Sequence, residues 1–569
     1  MENYQKQYSF WCEKLAGTPF SSALLNMDEA EKQDAFYQYL AFGTAGMRGI
    51  LGLGTNRMNI YTVMRSSKGL ADYICEREEQ QSGVAIAYDS RNMSAEFAKT
   101  TAEVLCANGI RVYLSPMLKS VPQLSYAVLK LKTAAGVVIT ASHNPPEYNG
   151  YKVYGPDGGQ LEPGAADLVT QYIDRVDDPF NIQTMDLAQA EAKGLLTYMT
   201  DELDQSYYRE VSELVLQPDI IRQNAHKLKV VYTPLFGAGS IPVQALLKRI
   251  GITNLHVVHE QEQPNGDFPG LSAPNPENPE AFTLARALAD QVGANLIFAT
   301  DPDSDRLGVF ARGKEGVFQT LTGNQIGCLL LDYILTHTQR QKDDFAVKSI
   351  VSTPMADAVC ARHGVEMRNV YTGFKFIAEQ IKISRETGRG NFLFGFEESY
   401  GFLRGTFVRD KDAIIASVLL CETACYYASR GMTLLDALDE LSEKYGYFMD
   451  RVLSKSLSGI AGIEKIKHAV ECMRANPPRE IGGQRVMAMR DYNTGLRTTP
   501  DGDSTPLPLS SANVVYFELE HGRFILRPSG TEPKLKSYLS VQGEDAASCA
   551  ALLERLTNDV EKQIEELTH

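Results

Sequence analysis

The chain has 569 residues, of which 44% are hydrophobic and 22% charged, with a net charge of −15. At roughly 150 residues per domain this length calls for about four domains, and the composition is that of a globular protein. The acidic balance argues against general binding to nucleic acid or anionic membrane. No run reaches the ~18 apolar residues of a membrane span.

The N-terminus is polar and has no signal-peptide core, and nine cysteines lie scattered without a Cys-x-x-Cys pair. A cytoplasmic protein is expected. Residues 43–49, Gly-Thr-Ala-Gly-Met-Arg48-Gly, form a glycine-rich loop carrying one cation. It lacks the Gly-Lys-Ser/Thr of a P-loop.

Strand and helix patterns then alternate. Residues 84–88 read as a strand, 94–108 as a helix ended by Gly109, 111–114 and 136–140 as strands. The last runs into Thr140-Ala-Ser142-His143-Asn144-Pro145. An exposed serine on a tight strand-end turn can carry a phosphoryl group, though an ordinary polar turn fits the same residues. No Gly-x-Ser-x-Gly elbow surrounds Ser142, which disfavours a Ser-His-Asp hydrolase. Lys152, ten residues on, can return to the same pocket.

The pattern restarts with strands at 229–232, 255–258 and 295–299, and a helix opened by Gly237-Ala-Gly-Ser240. Five prolines between 264 and 279 exclude a regular element there; a flexible linker is one reading, and the interruption of one α/β unit favours a structural loop. The third strand runs into Asp301-Pro-Asp303-Ser-Asp305-Arg306. Three alternating carboxylates offer the hard oxygen ligands of Mg²⁺. Arg306 and Arg312 occupy the EF-hand glycine and glutamate positions, so that loop is excluded.

A third round predicts strands at 349–352, 369–371 and 392–394. The second precedes Gly373-Phe-Lys375; the third precedes Gly395-Phe-Glu397-Glu398-Ser399. Glu397 and Ser399, on one side of an extended segment, suit neighbouring sugar hydroxyls, or a cap or turn. Three such units suggest parallel sheets with ligand loops at strand carboxyl ends. Residues 413–428 read as a buried helix. The last part differs: a hairpin at 514–518 and 523–526, a strand at 536–541 and an amphipathic helix at 546–567 suggest an α+β lid. Arg527, Ser529, Gly530, Thr531 and Lys534 form a donor cluster that suits phosphate, or a basic surface turn. As an ordered set, the loops argue for phosphoryl transfer on a sugar phosphate.

From Gly43 to Lys534 the chain resembles the α-D-phosphohexomutase superfamily and, within it, the bacterial phosphoglucomutase family. The resemblance implies an α/β fold of four domains around a central cleft: three related mixed α/β domains (1–205, 206–318, 319–447) and a C-terminal α+β domain (448–569). It implies that Ser142 becomes the phosphoserine and that Asp301, Asp303, Asp305 and the Ser142 phosphate hold Mg²⁺. Glu397 and Ser399 would read the sugar. Arg527, Ser529, Gly530, Thr531 and Lys534 would clamp the non-reacting phosphate. Arg48, His143, Lys152, Arg306 and Lys375 would be the basic groups around the reacting phosphoryl, and Gly373 would bind substrate. A histidine that part of the superfamily carries after the sugar-reading serine is absent, since Tyr400-Gly401 stands there. The implied reaction interconverts glucose 1-phosphate and glucose 6-phosphate through glucose 1,6-bisphosphate. The expected partner is a small sugar phosphate, with neither nucleic acid nor membrane, for a monomer or homodimer. Phosphopentomutase, phosphomannomutase, a metal-dependent phosphatase and a silent sugar-phosphate-binding regulator remain alternatives.

Overall fold

The computed structural model describes residues 3–43, 46–457, 459–529 and 534–568. Four sheets follow one another along the chain. The first three share one core arrangement. In the first, Val112–Leu114, Val84–Tyr88 and Ala135–Ile139 lie parallel side by side, and Tyr148–Tyr154 closes the row antiparallel. In the second the same places are taken by Leu255–Val257, Val230–Thr233, Leu296–Thr300 and, antiparallel, Leu307–Arg312. In the third they fall to Glu366–Val370, Asp344–Ser349, Asn391–Glu397 and Gly401–Leu403.

The sheets are therefore mixed, not purely parallel. The reason is loop length. A parallel return needs a crossover of a dozen residues or more, whereas the segment after each third strand is short and can only turn back. Each polar motif thus becomes the tip of a hairpin at the carboxyl end of a strand.

Two expected strands are displaced. The strand expected at 349–352 is Asp344–Ser349. Ile350 and Val351 are apolar for another reason: they pack against Tyr492, Ile525 and Tyr538 of the last sheet. The strand expected at 369–371 is Glu366–Val370, whose Glu366 and Arg368 hide its start. The hairpin is present, with Leu519 paired to Gly522. It belongs to an antiparallel eight-stranded sheet packed by helices Gly459–Ala475 and Ala546–Thr568.

The apolar helix Ala413–Ser429 is buried in a core shared by the second and third sheets. No helix among the described residues is long and apolar enough to cross a membrane. Asp412 caps it, accepting from the N–H groups of Ile414 (2.9 Å) and Ile415 (2.8 Å) and from the Tyr207 hydroxyl (2.6 Å). Burial pushes this carboxyl up to about 7. Replacing it with alanine removes the cap and strands a buried hydroxyl. Asp412→Ala is expected to cost about 3 kcal/mol in chemical denaturation, and Asp412→Asn clearly less.

Candidate active site

Ser142 stands just beyond the strand Ala135–Ile139 with φ = 53°, a left-handed conformation costing ~1–2 kcal/mol outside glycine. Arg91 holds it there. Its buried guanidinium donates to the carbonyls of Ser142 (2.6 Å), Asn144, Pro145 (2.9 Å) and Tyr148 (3.0 Å). Asp89 lies 3.5 Å from the same guanidinium. The Ser142 N–H donates to the Thr140 hydroxyl at 2.8 Å. The loop that carries the Ser142 hydroxyl is thus fixed through its backbone carbonyls and N–H.

That hydroxyl donates to Asp301 Oδ2 at 2.9 Å. Segments nearly 160 residues apart therefore meet in one place. The other Asp301 oxygen accepts from the N–H groups of Asp305 (3.0 Å) and Arg306 (2.9 Å), which folds the aspartate loop round itself. Asp303 Oδ2 accepts from Lys152 (2.9 Å) and Thr140 (3.2 Å), and Asp305 Oδ2 pairs with Lys411 at 3.0 Å. All three carboxylates are buried, with one ligand oxygen from each within 4.8 Å of the others.

Burial and the two neighbouring carboxylates raise Asp301 well above the ordinary range. Burial and Asp303 raise Asp305. Burial acts on Asp303 too, but Lys152 and Lys411 outweigh it and hold that carboxyl low. Among the described residues, Asp303 Oδ1 and Asp305 Oδ1 have no hydrogen-bond partner. Two orphaned, buried carboxylate oxygens beside a third carboxylate fit a small hard cation such as Mg²⁺.

His143 Nδ1 lies 3.1 Å from the Ser142 oxygen. Desolvation, then the charges of Arg306, Arg48, Arg91 and Lys152, hold its imidazole well below its usual value. Burial and these charges favour its neutral form. Arg48 reaches this corner through Asn144 Oδ1 at 3.0 Å. Arg306 is ion-paired to Glu277. Ser142, His143, Lys152, Arg48, Arg306 and the aspartates thus converge. Lys375 does not join them by contact: its ammonium sits 5.0 Å over the Phe376 ring, and burial lowers it.

The loop expected to read the sugar differs from its expected form. Glu397 ends a strand, while Ser399 lies in the turn that follows, so the two are not on one extended segment. Glu397 accepts from the Gly373 N–H at 2.6 Å, and burial followed by the Glu398 charge pushes it up to about 7. Glu398 is held by the hydroxyls of Ser349 (3.0 Å) and Ser352 (3.3 Å).

Arg527 lies on the last sheet and donates to the Tyr538 hydroxyl at 3.4 Å. That hydroxyl is pushed up by burial and then by the charges of Glu398 and, more weakly, Glu397, so clamp and sugar loop share one electrostatic neighbourhood. The Ser529 N–H donates to the Lys534 carbonyl at 2.8 Å. Gly530 and Thr531 lie outside the described residues. Lys411, Asp89, Arg91 and Glu277 escaped the sequence reading. The first belongs to the charge run Arg409-Asp-Lys-Asp412 ahead of an apolar helix. Asp89 and Arg91 follow a strand end, the same signal that marked Ser142.

The phosphoglucomutase/phosphomannomutase family matches this chain in three pieces: its α/β/α domain I over residues 39–179, domain II over 205–314 and domain III over 322–445. A phosphoglucomutase of Staphylococcus saprophyticus is 38% identical over 539 residues, covering 94% of this chain and 97% of its own. The solved open form of the Paramecium phosphoprotein parafusin (phosphoglucomutase) has the same fold, with a TM-score of 0.69 at 17% identity over 93% of this chain and 96% of its own. An Aspergillus fumigatus N-acetylphosphoglucosamine mutase, solved with GlcNAc-6P and magnesium, has a TM-score of 0.50 at 13% identity over 99% of each chain.

Proposed function

The chain belongs to the phosphoglucomutase/phosphomannomutase family, and from that premise we propose that it interconverts glucose 1-phosphate and glucose 6-phosphate through phosphorylated Ser142 and a glucose 1,6-bisphosphate intermediate. The observation that carries this reading is the 2.9 Å contact between the Ser142 hydroxyl and Asp301, at the mouth of a buried three-carboxylate cage.

Asp301, Asp303, Asp305 and a phosphoryl oxygen on Ser142 would hold Mg²⁺. When bound, that ion offsets charge on the transferring group. The chain's own residues do the rest. Lys152 and Arg306 supply positive charge beside the transferring group. Neutral His143 takes the proton of the accepting sugar hydroxyl and returns it to the Ser142 oxygen as the phosphoryl leaves. Glu397 and Ser399 read the sugar. Arg527, Ser529, Gly530, Thr531 and Lys534 hold the other phosphate while Arg48, Gly373 and Lys375 line the approach. The bisphosphate then turns and returns its second phosphate to Ser142.

The division into domains 1–205, 206–318, 319–447 and 448–569 accompanies this reading, with the last acting as a lid that excludes water. Nine free cysteines, seven of them on the first three sheets' side of residue 448, favour a cytoplasmic setting. A monomer or homodimer is consistent with it.

The test is peptide mass spectrometry of the Ser142 peptide before and after incubation with hexose 1,6-bisphosphate, beside turnover on glucose, mannose and pentose phosphates. A phosphoryl increment on that peptide and fastest turnover on the glucose pair are expected. Release of inorganic phosphate without isomerisation would assign a phosphatase instead.

A further inference from the structure

The proline-rich segment 264–279 carries a role that the reaction above leaves unused. It leaves the second sheet and packs on Arg91 and Asn92, in the loop after the strand Val84–Tyr88 of the first. Gly266 packs so closely on Asn92 that a Cβ there would overlap the Asn92 backbone. Asp267 accepts from the Asn92 amide at 2.6 Å. Buried Phe268 lies 5.0 Å beneath the Arg91 guanidinium, the group that pins the Ser142 loop. At the far end, the Pro276 carbonyl sits against Gly308 so tightly that no side chain fits between them. Prolines keep the path between these anchors stiff.

The next residue, Glu277, is thereby fixed against Arg306. Both side chains remain open to solvent, at 20% for Arg306 and 32% for Glu277. Among the described residues the arginine's Nε, a buried atom, has no hydrogen-bond partner; it lies 3.9 Å from Asp305, and the charges of Asp301 and Glu397 also act on the guanidinium. A phosphate arriving at Ser142 therefore meets an arginine already engaged by a carboxylate.

We propose that Glu277 is a positioning residue that competes with the substrate's phosphate for Arg306, making this arginine a reversible phosphate ligand. This rests on the mutase reading. A bisphosphate that must turn within the site has to be released by every cation that grips it. A cation with no close carboxylate to return to releases a phosphate more slowly. Glu277 gives Arg306 somewhere to go. It also keeps the guanidinium aimed at the site between turnovers, through a paired geometry set by the strap.

The test compares wild type, Glu277→Gln and Glu277→Asp. The amide keeps the shape and an acceptor but removes the charge. With Glu277→Gln, KM for glucose 1-phosphate and the Kd for inorganic phosphate, measured by calorimetry on the protein with Mg²⁺, should each fall about five-fold. kcat should fall at least as much, with Tm unchanged. Glu277→Asp keeps the charge and should stay near wild type in KM. A merely structural role would instead lower Tm and raise KM. Unchanged KM, kcat and phosphate Kd in Glu277→Gln, with an active wild type, overturn the proposal. An inactive wild type would sink the mutase reading, while the phosphate Kd still decides whether Glu277 and the anion compete for Arg306.

Discussion

Ser142→Ala is expected to lower mutase turnover by at least about 10⁴-fold while leaving glucose 1-phosphate binding nearly intact. The hydroxyl is the only atom lost. Its backbone is held by Arg91 through four carbonyls and by Thr140, none of which touches the side chain. Alanine meets the same positive φ, so fold and pocket survive. Binding energy comes from cations and sugar contacts, which remain. Stopped-flow turnover beside calorimetric binding checks this, and phosphorylation of the Ser142 peptide by hexose 1,6-bisphosphate should vanish in the variant. Turnover within ten-fold of wild type would remove Ser142 from the reaction.

Ser142 and the three aspartates were readable because each group lies within one short motif, and local spacing alone brings its members together. The three-fold repetition of strand and polar loop was readable for a similar reason, since apolar runs of strand length recur before each motif. What was hidden came from elsewhere in the chain. Lys411 reaches Asp305 from the third sheet's side, and Arg91 reaches the Ser142 carbonyls from a preceding strand end. Neither contact has a local signature. Ile350 and Val351 misled because burial against another domain and burial within a sheet demand the same residue types. The antiparallel closing strands, too, follow from loop length more than from composition.

The aspartate cage gives the second large effect, and its members should part company. Asp301→Asn and Asp303→Asn are both expected to cut turnover at least about a hundred-fold at ordinary Mg²⁺, with partial recovery as the ion is raised. Their stabilities without metal should move in opposite directions. Asp301 is raised by burial and by two like charges, so its ionised form costs the folded state stability as pH rises above the ordinary carboxylate range. A neutral amide removes that cost, and Tm of the metal-free protein should rise at pH 7. Asp303 is held low by Lys152 and Lys411, so its ionised form contributes stability that is lost only as pH falls below that range. Its amide takes from Lys152 the nearest negative charge, leaving Asp305 at 3.9 Å as the next ion pair, and Tm should drop. Adding Mg²⁺ to wild type at about a hundred times its Kd should stabilise the fold by ~2.7 kcal/mol, and neither variant should show that gain at the same concentration. Equal metal-free shifts for the two variants would mean that the lysines do not discriminate between these carboxylates. An unchanged response to Mg²⁺ would mean that the cage holds no ion.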